Sequence, residues 1–252
     1  MRSTPIRGIL CDIGGVLYVG DSPIEGAIEA VRSIKHRYPV RFVTNTTQKT
    51  GAQVVQKLQE MGFEIEPDEV ITALDVTRQF LEREGAGACY LLTDDAADYF
   101  RDLHEKPCRY VVVGDAQKNF SYEHLNRAFR VLMDGGTLLA AAKNRYFMDS
   151  DGALSMDAGG FVAALEYACN TEAQIIGKPS LEFYHLVCAS MDVKPEACVM
   201  IGDDIESDIM GAQEAGLKAA LVKTGKFIPG DLLQGIIPDA VIDSIADFSL
   251  LG

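Results

Sequence analysis

Residues 8–15 read Gly8-Ile9-Leu10-Cys11-Asp12-Ile13-Gly14-Gly15, an apolar run that ends on one acid and then meets paired glycines. The run GILCD has no charged residue before Asp12, as a strand buried on both faces of a parallel sheet requires. In open α/β sheets, ligands bind outside the carboxyl ends of the strands, and Asp12 stands at such an end. The glycines let the backbone turn sharply and approach a ligand closely. A carboxylate there is a nucleophile or a metal ligand; the plain structural alternative is an aspartate that caps a helix or closes a turn.

Working outward, the pattern repeats. A helix is expected over residues 24–38, a strand over Val40–Thr44 (VRFVT), a helix over 51–61 stopped by Gly62, and a strand over 69–72 followed by a helix to about Glu84. Towards the C-terminus, strands are expected at 173–177, 197–201, Lys218–Val222 and Ala240–Ile242, with helices at 181–191 and 208–215. This alternation predicts an α/β fold, a doubly wound parallel sheet of Rossmann-like type. The middle reads as an α/β unit of its own. It has strand-like runs at 90–92, 110–113 and 137–142, an amphipathic helix Tyr122–Met133 capped by Ser121, and a helix at 161–169. Asp151-Gly152 is a good hairpin turn. The expected organisation is a core of residues 1–78 and 175–252 with a second domain, 79–174, inserted into it.

The 252 residues are 48% hydrophobic and 24% charged, which is ordinary globular composition. No run approaches the ~20 apolar residues of a membrane span. The first residues carry no signal-peptide pattern, so a cytoplasmic protein without a membrane partner is expected. A net charge of −14 argues against nucleic acid as a partner. It does not exclude small phosphates, because a local cation and a bound metal override the global field at short range. The six cysteines, Cys11, Cys89, Cys108, Cys169, Cys188 and Cys198, form no C-x-x-C pair and read as reduced, mostly buried thiols. His36, His104, His124 and His185 have no metal-ligand spacing.

Three further segments carry chemistry. Thr44-Asn45 ends its strand in FVTNTT, where a hydroxyl, an amide and free N–H groups suit phosphate oxygens; alone, it is equally a polar turn. Lys178 follows AQIIG and can neutralise a phosphate or hold a nucleophilic carboxylate ionised; alone, it is equally a solvated lysine. Residues 201–208 (IGDDIESD) place four acids after a buried strand, which suggests a hard-cation site. The alternative is a set of helix-start acids favoured by the macrodipole. Each of the four segments follows a strand read as part of one sheet.

Taken together and in this order, the segments resemble the four motifs of the haloacid dehalogenase superfamily. The likeness is to its subclass with a C2-type cap, the p-nitrophenyl-phosphatase-like group. The pattern CDIGGVLY, RFVTNTTQK, GKPS, IGDDIESD, GAQEAG and LVKTGK carries it over nearly the whole chain. The resemblance implies a phosphohydrolase acting on a small phosphorylated substrate with Mg²⁺ as cofactor. Asp12 would attack phosphorus and form an aspartyl-phosphate. Asp12, the Gly14 carbonyl and Asp203 would hold the metal, and Asp208, with Asp204, would support its water shell or Lys178. Thr44, Asn45 and Lys178 would bind the phosphoryl oxygens. A homodimer through the cap is common in such relatives and is expected on that ground.

One position departs from the family pattern. Phosphatases of this superfamily commonly carry a second aspartate two residues after the nucleophile, as general acid and base; here that residue is Gly14. General acid–base catalysis typically supplies 10²–10⁴-fold, or roughly 3–5 kcal/mol of barrier. Substrates with good leaving groups (phosphoramidates, pyrophosphate, acyl or aryl phosphates) are therefore expected to outrun simple alkyl phosphates. Two other readings stand beside this one: a general small-molecule phosphomonoesterase, and a regulatory protein that binds phosphate or metal with weak turnover or none. The Asp94-Asp95 turn, Lys143-Asn144-Arg145 and Gly159-Gly160 are candidate substrate contacts in the cap, each more readily read as solvated loop.

Overall fold

The computed structural model of the protein describes residues 4–103, 106–148 and 153–251. The expected Asp151-Gly152 turn and His104 lie outside the described residues. In chain order the strands are β1 (Gly8–Asp12), β2 (Tyr18–Val19), β3 (Ser22–Pro23), β4 (Val40–Thr44), β5 (Val70–Thr72), β6 (Gly87–Leu91) and β7 (Cys108–Val113). They continue with β8 (Thr137–Ala140), β9 (Tyr146–Met148), β10 (Leu154–Met156), β11 (Gln174–Ile175), β12 (Cys198–Gly202), β13 (Lys218–Val222) and β14 (Ala240–Ile242).

The chain divides into two compact units. The first comprises the described residues of Met1–Thr44, Gln53–Ile71 and Lys178–Gly252; the second comprises Asn45–Ala52 and Thr72–Gly177. The second unit opens earlier than residue 79 because the helix Ala73–Glu84 is tied into it. Tyr99 Oη donates to Asp75 Oδ1 at 2.8 Å, and Arg78 donates to both carboxylate oxygens of Asp102 at 2.9 and 2.6 Å.

The first unit is built on a sheet of strand order β14-β13-β12-β1-β4-β5. β1 runs parallel to β12 on one side and to β4 on the other. Every residue of β1 is buried, as its uninterrupted apolar sequence requires of a strand covered on both faces. One face of the sheet packs Ile9, Cys11, Phe42, Val199 and Ile201 against Val31, Ile34, Val55 and Leu58 of the helices Ala27–Arg37 and Gly51–Glu60. Each such aliphatic side chain contributes about 1.5–3 kcal/mol by leaving water.

The second unit has its own parallel sheet, of order β11-β8-β7-β6. Ala128 and Leu132 of the helix Tyr122–Met133, and Val162 and Leu165 of the helix Gly159–Cys169, close its core over Cys89, Leu91, Val111 and Val113. β9 and β10 form a separate antiparallel ribbon. The fold is thus a doubly wound parallel sheet with an inserted α/β domain. Among the described residues, no helix is long and apolar enough to cross a membrane.

Three local expectations are corrected. The first helix starts at Ala27 rather than at residue 24, because Gly26 takes a left-handed conformation, φ 75, which a right-handed helix cannot run through. The helix expected at 208–215 is a π-helical turn, Ile205–Met210, followed by one short α-helical turn, Gly211–Glu214. The strand before Lys178 does not belong to the large sheet: β11 pairs with β8 in the second unit, with Gln174 beside Leu139. An apolar run shows that a strand is buried but not which sheet buries it.

Candidate active site

Strand register sets the site. Asp12 ends β1 opposite Val43, so Thr44 stands one residue beyond it on the neighbouring strand. On the other side Cys11 faces Ile201, so Asp203 follows the end of β12 at a similar level. Three adjacent parallel strands therefore deliver Asp203, Asp12 and Thr44 to one edge, the carboxyl edge. Asn45, the next residue, belongs to the second unit.

Lys178 enters this edge from the turn after Gly177. Its Nζ lies 2.5 Å from Asp12 Oδ1 and 2.6 Å from Asp208 Oδ1, and its side chain is only 3% exposed. Burial works against the ammonium, but the Asp12 and Asp208 carboxylates outweigh it and hold its pKa well above the usual lysine range. The lysine is therefore a fixed cation, not a proton donor near neutrality. Asp208 uses its other oxygen, Oδ2, to accept the N–H groups of Asp203 and Asp204, each at 3.2 Å. Burial pushes the Asp208 carboxyl up to about 6, against the pull of Lys178.

The π-turn that presents Asp208 is braced on both sides. Asp204 Oδ1 accepts from Glu206 N–H at 3.1 Å and from Ser207 N–H at 2.9 Å, while its Oδ2 lies 3.1 Å from Lys226 Nζ. Tyr184, fully buried on the helix Leu181–Ala189, donates its hydroxyl to Ser207 O at 2.5 Å. This bond ties the π-turn to the helix that carries Tyr184.

Asp203 is held by the loop after β13. The Lys226 N–H donates to Asp203 Oδ2 at 2.7 Å, and Thr224 Oγ1 donates to Gly15 O at 2.5 Å. Gly15 has φ +83, and a Cβ on it would fall 2.0 Å from Asp203 Oδ2 and 2.9 Å from Gly225 Cα. The carboxylate fills the space where a side chain at position 15 would stand. At Gly14, by contrast, a Cβ would meet no atom within 4 Å.

These residues fit a hard divalent cation. Among the described residues, Asp12, Asp203 and Asp208 each offer a carboxylate oxygen within 4.8 Å of the others, and all three are buried. All the donors are oxygens, the ligands Mg²⁺ prefers. Burial, with Asp12 and Asp208 adding to it, pushes the Asp203 carboxyl well above the usual carboxylate range. Three carboxylates around one buried ammonium leave a negative site in a low dielectric, which a cation would relieve.

The site thus brings together Asp12, Lys178, Asp203 and Asp208, with Thr44 on the same strand edge. Sequence reasoning missed Thr224, Lys226 and Tyr184. The first two follow β13, so the rule that picked out Asp12 could have found them; Tyr184 lies mid-helix and carries no sequence signal. His124 Nδ1 lies 3.0 Å from Asn119 O and His185 Nε2 lies 3.1 Å from Ala215 O. All six cysteines are free, with Cys108 exposed. In the second unit Asp94 is engaged by Lys118 at 3.1 Å and Asn119 at 2.9 Å, and Lys143 by Glu166 at 2.7 Å.

The family profile described as haloacid dehalogenase-like hydrolase matches residues 9–107, and one described as HAD-hydrolase-like matches residues 175–248. The rat phospholysine phosphohistidine inorganic pyrophosphate phosphatase is 40% identical, over 98% of this chain and 94% of its own length. The crystal structure of a 4-nitrophenylphosphatase from Thermotoga maritima superposes with a TM-score of 0.89 at 26% identity, covering 97% of each chain. A glycerol phosphate phosphatase from Mycobacterium tuberculosis, in complex with calcium, superposes with a TM-score of 0.84 at 25% identity, covering 95% of this chain and 73% of that one. With profile matches at both ends and a relative of this identity over almost the whole chain, this protein belongs to the haloacid dehalogenase-like hydrolases.

Proposed function

We propose that this chain is a Mg²⁺-dependent phosphohydrolase that works through an aspartyl-phosphate on Asp12 and favours substrates with good leaving groups. The observation that carries the reading is the buried Lys178 ammonium, which bridges Asp12 at 2.5 Å and Asp208 at 2.6 Å beside Asp203. An Asp12 oxygen forms a bond to phosphorus as the bond to the leaving group breaks. Water then attacks the phosphorus, frees Asp12 and yields inorganic phosphate. Asp12, the Gly14 carbonyl and Asp203 would hold Mg²⁺, with Asp204 and Asp208 behind them. When bound, the ion supplies charge stabilisation for an anionic nucleophile meeting an anionic phosphate. Lys178 orients Asp12 and the phosphoryl oxygens, and such positioning is most of the catalysis in phosphoryl transfer, while Thr44 and Asn45 bind those oxygens in substrate and transition state alike. In this reading the second unit is the substrate-selecting cap.

The leaving-group preference follows from Gly14, which offers no carboxyl group to protonate a departing alkoxide. Amine, phosphate and nitrophenolate leaving groups need that proton less. The name of the rat relative points the same way, because phospholysine, phosphohistidine and pyrophosphate all release such groups.

The test is phosphate release from p-nitrophenyl phosphate, pyrophosphate, phospholysine and a sugar phosphate, with and without Mg²⁺. The expected result is release from the first three, little from the sugar phosphate, and none after chelation or in Asp12→Asn. Equal rates on the sugar phosphate would move the assignment to a general phosphomonoesterase. No release, despite Mg²⁺ binding, would move it to a non-catalytic binding protein. Gly14→Asp is expected to raise sugar phosphate turnover by at least about 10-fold, within the range a general acid supplies. The open space at Gly14 can take the new side chain. Unchanged sugar phosphate turnover in a folded Gly14→Asp protein would refute the leaving-group argument.

A further inference from the structure

The segment that follows Thr44 is held by the second unit, to which Asn45–Ala52 belongs. Thr47 is 3% exposed, and its Oγ1 accepts the Asp115 N–H at 2.7 Å. Gln48 Nε2 donates to Asp115 Oδ2, and the Gln117 N–H donates to Asp115 Oδ1 at 3.0 Å. Asp115 is itself 8% exposed and lies two residues past β7, at the carboxyl end of the second unit's parallel sheet. Gly114 lets the two stretches touch: a Cβ there would lie 2.7 Å from Thr47 Cβ. Close approach recurs at Gly177, where a Cβ would lie 2.6 Å from Asn45 Oδ1.

A buried carboxylate is costly unless it is hydrogen-bonded. Asp115 meets that need with neutral N–H groups, one of them from the loop itself. We propose that Asp115 is a positioning residue: with Thr47 and Gln48 it forms a clasp that fixes the Asn45–Gln48 segment, and through it the Asn45 amide that meets the phosphoryl group. The inference rests on the reading of Asn45 as a phosphoryl ligand. Ordering the polar TNTTQ stretch beforehand removes that ordering from the work of binding. Losing the clasp should therefore weaken ground state and transition state together, raising KM with little change in kcat.

The experiment measures KM and kcat for p-nitrophenyl phosphate, and Ki for inorganic phosphate, on the full chain with Mg²⁺. Asp115→Ala is expected to raise KM and Ki about 10-fold, with kcat within about twofold, as for the loss of uniform binding. Thr47→Val should move the same way, while Thr47→Ser, which retains the accepting hydroxyl, should stay near wild type. Arg78→Ala, which breaks the ion pair with Asp102 elsewhere in the unit, should lower Tm without raising Ki. The double variant Asn45→Ala/Asp115→Ala should be no worse than Asn45→Ala alone, because Asp115 acts through Asn45.

An unchanged Ki in Asp115→Ala, alongside a raised Ki in Asn45→Ala, would overturn the clasp and leave the phosphoryl role of Asn45 standing. Multiplying effects in the double variant would also overturn it. An unchanged Ki in Asn45→Ala would remove the phosphoryl reading of that residue and the inference with it. If Asp115→Ala does not fold, the Thr47→Val and Thr47→Ser pair decides: equal Ki values would overturn the clasp.

Discussion

Gly15→Ala is expected to lower phosphate release by about 10²-fold or more, the penalty typical of a 1 Å displacement in a catalytic constellation. Two effects combine. Gly15 has φ +83, a conformation that costs an L-residue roughly 1–2 kcal/mol. The new methyl carbon would also fall 2.0 Å from Asp203 Oδ2, so the carboxylate must leave its place. Its hydrogen bond from the Lys226 N–H, at 2.7 Å, goes with it. The signature is a raised Mg²⁺ requirement together with a lower kcat. Gly14→Ala is the steric control for folding, since its methyl group meets no atom within 4 Å. Its unfolding midpoint should stay near wild type while that of Gly15→Ala falls. Wild-type turnover in Gly15→Ala would show that Asp203 has freedom the packing denies it.

Lys178→Met should be damaging twice over. It leaves the buried Asp12 and Asp208 carboxylates without the ammonium that lies 2.5 and 2.6 Å from them. Removing one partner of a buried ion pair typically costs about 3–5 kcal/mol, because the charge left behind is uncompensated. Methionine also removes the group assigned to the phosphoryl oxygens, so turnover should fall by about 10³-fold, at the upper end for one electrostatic donor. Urea unfolding measures the first effect and phosphate release the second. A variant that loses stability but keeps its turnover would make Lys178 a structural ion-pair partner only.

Much of this site was legible in the sequence. Asp12, Thr44 and Asp203 each stand at the end of a short apolar run, and the carboxyl-edge rule for parallel sheets needs nothing more. Lys178 was found for a partly wrong reason: its preceding strand lies in the other sheet, paired with β8. A two-residue strand with continuing backbone bonds, Ile176 N–H to Ala140 O and Gly177 N–H to Ala141 O, reads the same in sequence whichever sheet it joins.

What stayed hidden depends on distance in the chain. The π-turn at Ile205–Met210 is braced by Tyr184, whose hydroxyl reaches Ser207 O from another helix. Asp115 serves a loop 67 residues away, through Gln48. Local propensity carries no trace of either. The second unit's claim on the helix Ala73–Glu84 is hidden in the same way, because it rests on Asp75 and Arg78 meeting Tyr99 and Asp102.

The central claim is that Asp12 itself takes the phosphoryl group. The direct measurement is to quench the enzyme in acid during turnover of p-nitrophenyl phosphate with Mg²⁺, reduce it with borohydride, and map the peptides. An aspartyl-phosphate is reduced to homoserine, so the account predicts homoserine at position 12 in the wild-type protein and none in Asp12→Asn. Mg²⁺-dependent phosphate release with no modification at position 12, or undiminished in Asp12→Asn, would contradict it.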